Sequence, residues 1–325
     1  MKKICICSVY MGELPNTIEF WINSVKNNPS IDFILFTDAD TKNIQGGADN
    51  LRIVYMTLQS VKTRIQRLFD FPVVLDAPYK LCDYKPVFGN AFKDYFKDYD
   101  FWGYADLDLV FGNIRYFLTD DILNQYDKIY HQGHLSLYRN CAQMNNLYLR
   151  ILPNGKAFDY KFVFSTMHPC FFDEHCGIER ISKFDKVKMY TWSMGISKGV
   201  LADISPFSYK FRFSYHGEDL ENVYFEYDKG ELYLCSSTQK VQAVYVHFAK
   251  RKFLVNTNNV DHFKIVPNKY TDYSDEYPSI VSEESRAYEN SFIRNFRLMK
   301  IKRAFRLGFI EYVKKIIRKK RFMPL

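Results

Sequence analysis

The sequence predicts an α/β fold, on three observations. Short apolar runs follow one another near the start: Ile4 to Val9, then "IDFILFTD", then "LRIVYMTL". Between the first two lies "TIEFWINSVKNN", whose Ile18, Trp21, Ile22 and Val25 fall three or four apart, the spacing of one helical face, with Asn16 or Thr17 as its cap. Polar turns such as "GELPN" close the strands at their carboxyl ends. A β-α-β-β opening of this kind buries its strands in a sheet covered by helices.

The remaining elements follow in order. "LQSVKTRIQRLFD" and "KPVFGNAFKDYFKDY" have helical spacing, the second through Val87, Phe88, Phe92, Tyr95 and Phe96. "DFWGYADLDLVFGN", residues 100–113, is predicted to be an internal strand, "IRYFLTDDILNQYD" a helix-turn-helix, and "KIYHQGHLSLYRN" another strand. Residues 141–240 mix strands ("KVKMYTW", "GELYLCS") with many turns, and "VQAVYVHFAK" is a final strand. The polar, acidic stretch 266–290 is expected to be a linker or surface loop. In 291–325, Leu298, Ile301, Phe305, Phe309, Tyr312 and Ile316 recur three or four apart among basic residues, which predicts a basic amphipathic helical tail. Residues 1–265 form the main domain, divided near 130.

Composition bounds the function. With 325 residues, 47% hydrophobic and 18% aromatic, the chain can bury a substantial core and is not a largely disordered protein. The net charge of +8 is local: from Arg294 onward twelve Lys or Arg face one acid, Glu311, so the rest carries −3. The tail therefore points to an anionic membrane surface, or to a helix docked on the body, rather than to nucleic acid. Seven scattered cysteines without a CxxC pair fit reduced thiols, and no apolar run approaches the ~20 residues of a membrane span. These features predict a cytoplasmic protein, peripheral at the inner face of the cell membrane.

The chemistry centres on Asp106 and Asp108, two acids inside the most apolar run of the chain. Side chains two apart on a strand share a face, so both would project near the carboxyl end of an internal strand, where ligands bind in open α/β sheets. Adjacent carboxylates raise each other's pKa unless a cation lies between them, and Mg²⁺ or Mn²⁺ prefers such oxygen ligands together with phosphates. The simpler account gives one Asp to a turn cap and the other to an arginine. The run fails the calcium-loop pattern, and glycosidase carboxylates must flank the scissile bond. There is no GxxxxGK[ST], GxGxxG or GxSxG. "HPCFFDEHC" is a poor zinc site because His175 and Cys176 are adjacent.

The segments "YKLCDYKPVFGNAF", "YDFWGYADLDLVFGNIRYFL", "YDKIYHQGHLSLYRN" and "VYVHFAKRKF" resemble a bacterial family of GT-A-fold glycosyltransferases of capsule and surface-polysaccharide biosynthesis. The resemblance covers about residues 1–260 and is most specific around 80–115. It implies a Rossmann-like domain with a mixed central sheet, with 1–130 binding a nucleotide sugar and 131–265 facing the acceptor. It also implies transfer of a sugar, a UDP-hexose foremost, to a growing, lipid-linked surface glycan with Mn²⁺ or Mg²⁺.

By position, the resemblance makes Asp106 and Asp108 the DxD motif and His247 a further metal ligand. Lys250, helped by Arg251 or Lys252, would meet the diphosphate. Asp83 and Lys85 would touch nucleotide and donor sugar; Ser8, Val9, Tyr10 and Asp38 would line the nucleoside. An inverting enzyme also needs a general base. Asp173 or Glu174 in "CFFDEHCG" is the first candidate, with Glu218, Asp219 and Glu221 in "YHGEDLEN" second, and His131 and His134 as acceptor contacts. A non-catalytic nucleotide- or glycan-binding module is the alternative, with a nucleic-acid-binding protein behind it.

Overall fold

The computed structural model describes residues 1–42, 44, 47–191, 200–203, 211–213, 219–220, 224–236, 240–248, 253–266, 269–275 and 283–320. Its first half is built on β1 (Ile4–Tyr10), β2 (Asp32–Thr37), β3 (Leu51–Tyr55) and β4 (Phe101–Ala105), all mutually parallel. β5 (Leu109–Phe111) leaves this sheet, while β6 (Lys128–Gln132), β7 (Leu135–Arg139) and β8 (Met189–Tyr190) extend it. The order β3-β2-β1-β4-β7-β6-β8, with β4–β7 and β6–β7 antiparallel, makes a mixed central sheet. The predicted α/β class is therefore observed. β1 and β4 are apolar because both faces are covered; Cys5, Cys7, Trp102 and Tyr104 have no exposed surface.

A second sheet joins β9 (Val200–Asp203), β10 (Phe211–Phe213), β11 (Asp219–Leu220), β12 (Tyr224–Asp228), β13 (Glu231–Cys235), β14 (Lys240–His247), β15 (Leu254–Val255), β16 (His262–Val266) and β17 (Lys269–Asp272), with β5 paired to β14. The helix α1 (Ile18–Lys26) lies between the two cores. Trp21 packs against Phe33 of the first sheet, and Phe20 packs against Phe263 and Tyr270 of the second. Its preceding residue is Thr17, whose side chain makes no capping bond. A second helix, α2 (Leu58–Gln66), is capped by Thr57, which accepts from the Ser60 amide.

Six local expectations need correction. Residues 100–113 are not one strand: the chain bends at Asp106–Asp108 as it passes from β4 to β5. "KIYHQGHLSLYRN" is a hairpin rather than a single strand, reversing at Gly133–His134 between β6 and β7. "KPVFGNAFKDYFKDY" is broken into a 3-10 helix ending at Val87 and one-turn helices Phe88–Ala91 and Lys93–Phe96. The expected linker contains β17, whose fully buried Tyr270 joins the second core, so "VQAVYVHFAK" is not the final strand: β15, β16 and β17 follow it. The basic tail is two helices, Glu283–Arg306 and Phe309–Lys320, separated at Gly308, whose φ of +94° suits glycine. Among the described residues no helix is long and apolar enough to cross a membrane.

Candidate functional site

The chain runs β1, β2, β3 outward on one side of β1 and then returns to lay β4 on the other. That reversal makes the carboxyl ends of β1 and β4 a topological switch point, the crevice where α/β sheets bind ligands. Asp106 follows β4 directly. Its amide donates to the His134 carbonyl at 3.1 Å, and the Asp108 carbonyl accepts from the Phe248 amide at 3.0 Å. The bend is thus pinned to the β6–β7 turn on one side and to the residue after β14 on the other. Leu107, 3% exposed, enters the core between the two acids. Both carboxylates remain about one-third exposed.

His247 ends β14, and its Nε2 lies 3.5 Å from Asp108 Oδ1. One ligand atom from each of Asp106, Asp108 and His247 lies within 4.8 Å of the others. Two carboxylates and an imidazole at that spacing fit a Mn²⁺- or Mg²⁺-type ion with positions left for phosphate oxygens. Behind them the His134 ring stacks on His247 at 4.2 Å and 13°. Burial pushes the Asp106 carboxyl up; Lys85 opposes this and the Asp108 charge adds to it.

Lys85 links the acids to the other half of the site. Its Nζ donates to Asp106 Oδ1 at 2.6 Å and to the Gly133 carbonyl at 2.8 Å, and lies 3.5 Å from Asp173 Oδ2. Burial pulls the ammonium down, but Asp106 and Asp173 hold it above its ordinary value. Asp173 and Glu174 are adjacent yet differ. Asp173 is 3% exposed, and burial pushes its carboxyl well up despite Lys85, with Glu174, Asp83 and Asp106 adding to the rise. Burial also raises Glu174, but His175, 3.8 Å away, and His134 outweigh it and bring the carboxyl down to about 2. The surroundings thus push these two neighbouring carboxyls in opposite directions. The Gly133 amide donates to Glu174 Oε1 at 3.3 Å.

Asp83, expected at the donor, has no exposed surface. Its oxygens accept from the Cys170 amide at 2.8 and 3.0 Å, the Phe172 amide at 3.0 Å and Lys80 Nζ at 2.7 Å. It anchors the segment that carries Asp173. Ser8 Oγ donates to the Ala105 carbonyl at 2.8 Å, which fixes β1 to the end of β4. Val9 is half-buried on the first core. Tyr10 stands at the end of β1; burial first, then the Asp108 charge, pushes its hydroxyl up. Asp38 accepts from the Gly12 amide at 2.8 Å, closing the loop after β1. The structure thus brings Lys85, Asp106, Asp108, Asp173, Glu174 and His247 together with Tyr10, and uses Asp83 as a support. Lys250, Arg251, Lys252, Glu218 and Glu221 lie outside the described residues, and Asp219 is described only as part of β11. Gly133 and His175 were missed by sequence reasoning; the glycine of "QGH" was the available signal.

Residues 6–274 match the family described as "Family of unknown function (DUF6625)". No curated protein matches the chain. Among solved structures, the galactosyltransferase LgtC with donor and acceptor sugar analogues is similar at a TM-score of 0.30 and 10% identity, over 57% of this chain and 73% of that one. An active-site mutant of LgtC is similar at a TM-score of 0.35 and 9% identity, over 76% and 88%. Likeness at this level supports no inference about activity.

Proposed function

We propose that this chain, which belongs to the DUF6625 family, is a metal-dependent glycosyltransferase of GT-A type that moves a sugar from a nucleotide-diphosphate donor to a glycan acceptor. The observation that carries the reading is the convergence of Asp106, Asp108 and His247 at the switch point, with Lys85 linking Asp106 to Asp173. The motif resemblance around residues 80–115 supports the same reading, and suggests a UDP-hexose as donor and a lipid-linked surface glycan as acceptor.

When bound, a divalent ion would stabilise the charge developing on the departing diphosphate. Asp106, Asp108 and His247 would hold it, with the His134 ring supporting the imidazole from behind. Tyr10 borders the nucleoside end. Lys85 holds Asp106 in place and steadies Asp173. Asp173, 3.5 Å from Lys85 Nζ, or Glu174, which accepts from the Gly133 amide, would receive the proton of the acceptor hydroxyl in an inverting transfer.

The test is hydrolysis of UDP-sugars with Mn²⁺, compared between the parent and Asp108→Ala. The parent should hydrolyse at least one donor, and the variant should lose about 100-fold or more of the rate, the scale of losing a principal electrostatic stabiliser. Equal rates would end the proposal.

A further inference from the structure

The two helices that close the described chain have opposite faces. The inward face grips the segment carrying Asp173 and Glu174. Lys315, 9% exposed, donates to the Pro169 carbonyl, and His168 Nε2 lies 2.9 Å from the Gly308 carbonyl. The Arg318 guanidinium sits 3.9 Å over the Phe162 ring and 3.4 Å from Asp159. Lys319 Nζ lies 3.5 Å from Nε2 of His175, the neighbour of Glu174.

The outward face is apolar and open. Phe309, Ile310, Val313 and Ile317 are 50, 72, 38 and 49% exposed. At about 100° per residue they share one arc opposite Lys315. Leu298, Ile301 and Phe305 continue the stripe on the preceding helix, all at least half exposed. The Phe305 and Phe309 rings stack at 5.2 Å and 11°, so the stripe carries across the break at Gly308. A run of large apolar side chains held in water marks an interaction surface. The tail sequence as a whole carries twelve basic residues against one acid. A second copy of the chain would bring an equally positive segment against this face and be repelled, whereas acidic lipid headgroups would be attracted.

We propose that the helix pair is a two-faced adaptor. Its outward face beds into the surface of an anionic bilayer, and its inward face holds the Asp173–Glu174 segment, so that the site receives its acceptor from the lipid surface. The statement about the acceptor rests on the glycosyltransferase reading; the docking does not.

Full-length protein is pelleted with vesicles of phosphatidylcholine alone or mixed with phosphatidylglycerol. The parent should pellet with the mixed vesicles and be released by salt. The variant Phe305→Ser/Phe309→Ser/Ile310→Ser should pellet about tenfold less while keeping the parent's donor hydrolysis in solution. Equal pelleting of parent and variant, equal pelleting with neutral vesicles, or a parent dimer that the variant abolishes would each overturn the docking. Mixed vesicles should also slow amide exchange at residues 168–175 in the parent but not in Lys315→Met, or in His168→Ala should the first prove unstable. Exchange unaffected by vesicles in the parent would overturn the inward role. Absence of donor hydrolysis in a parent that still pellets would sink the glycosyltransferase reading and leave the docking standing.

Discussion

At Gly133 a single hydrogen atom separates the tip of the β6–β7 hairpin from two carboxylates. A Cβ there would run into Asp173 Oδ2 and stand 2.7 Å from Glu174 Oε1. Gly133→Ala should therefore cost about 1–3 kcal/mol as an overpacked site, or push Glu174 aside. Urea unfolding and the donor-to-acceptor transfer rate read the two outcomes, and a variant equal to the parent in both would mean that the tip yields freely. The glycine of "QGH" marks a turn although the segment reads as one strand, and nothing local gives the turn's destination, because the contact with Glu174 spans 41 positions. Asp106 and Asp108 show the converse. Their common direction was deduced from strand alternation, yet it arises from a bend that buries Leu107 between them. The residues were right and the backbone reason was not: leaving one sheet for another depends on pairing with β14, more than 130 positions away by sequence numbering.

The β6–β7 hairpin carries a buried cation as well as the Gly133 tip. Lys128 has no exposed surface; its Nζ donates to the Tyr130 carbonyl at 2.5 Å and to Ser136 Oγ at 3.2 Å, and lies 4.8 Å over the Tyr138 ring. Burial brings the ammonium from its ordinary 10.5 down to about 7, against the pull of Glu179 and Asp173. Across that interval the unfolded chain binds the proton more tightly than the folded one. This group alone therefore makes stability rise from about pH 7 toward pH 10.5. In Lys128→Met that rise should disappear, as measured by urea midpoints across the range; an unchanged pH slope would contradict it. β1 and β2 were legible because both faces are covered and the runs are almost purely apolar. β17 was not, since its alternation of Lys, Tyr, Thr and Asp reads as a polar loop until Tyr270 is seen in the core.

Over the whole molecule, α1 ties the two sheets together beside the β5–β14 pairing. Trp21 and Phe20 are consecutive, yet each belongs to a different core. Asn28, just past the helix, donates to the Gly112 carbonyl and accepts from the Ile114 amide, both at 2.9 Å, which ties the helix end to the exit of β5. Phe20→Ala should destabilise by about 3–5 kcal/mol and lower the midpoint of one shared urea transition. Tryptophan fluorescence and far-ultraviolet dichroism should coincide in the parent; separate midpoints would show that the sheets melt independently. This bipartite build bears on how a cation would be held. Two of its anchors ride the backbone step between the sheets, and the third belongs to the far sheet alone. A seated ion would therefore work as a rivet through two plates: heat resistance would climb with its concentration, and any sliding of one plate past the other would loosen the rivet before either plate gave way.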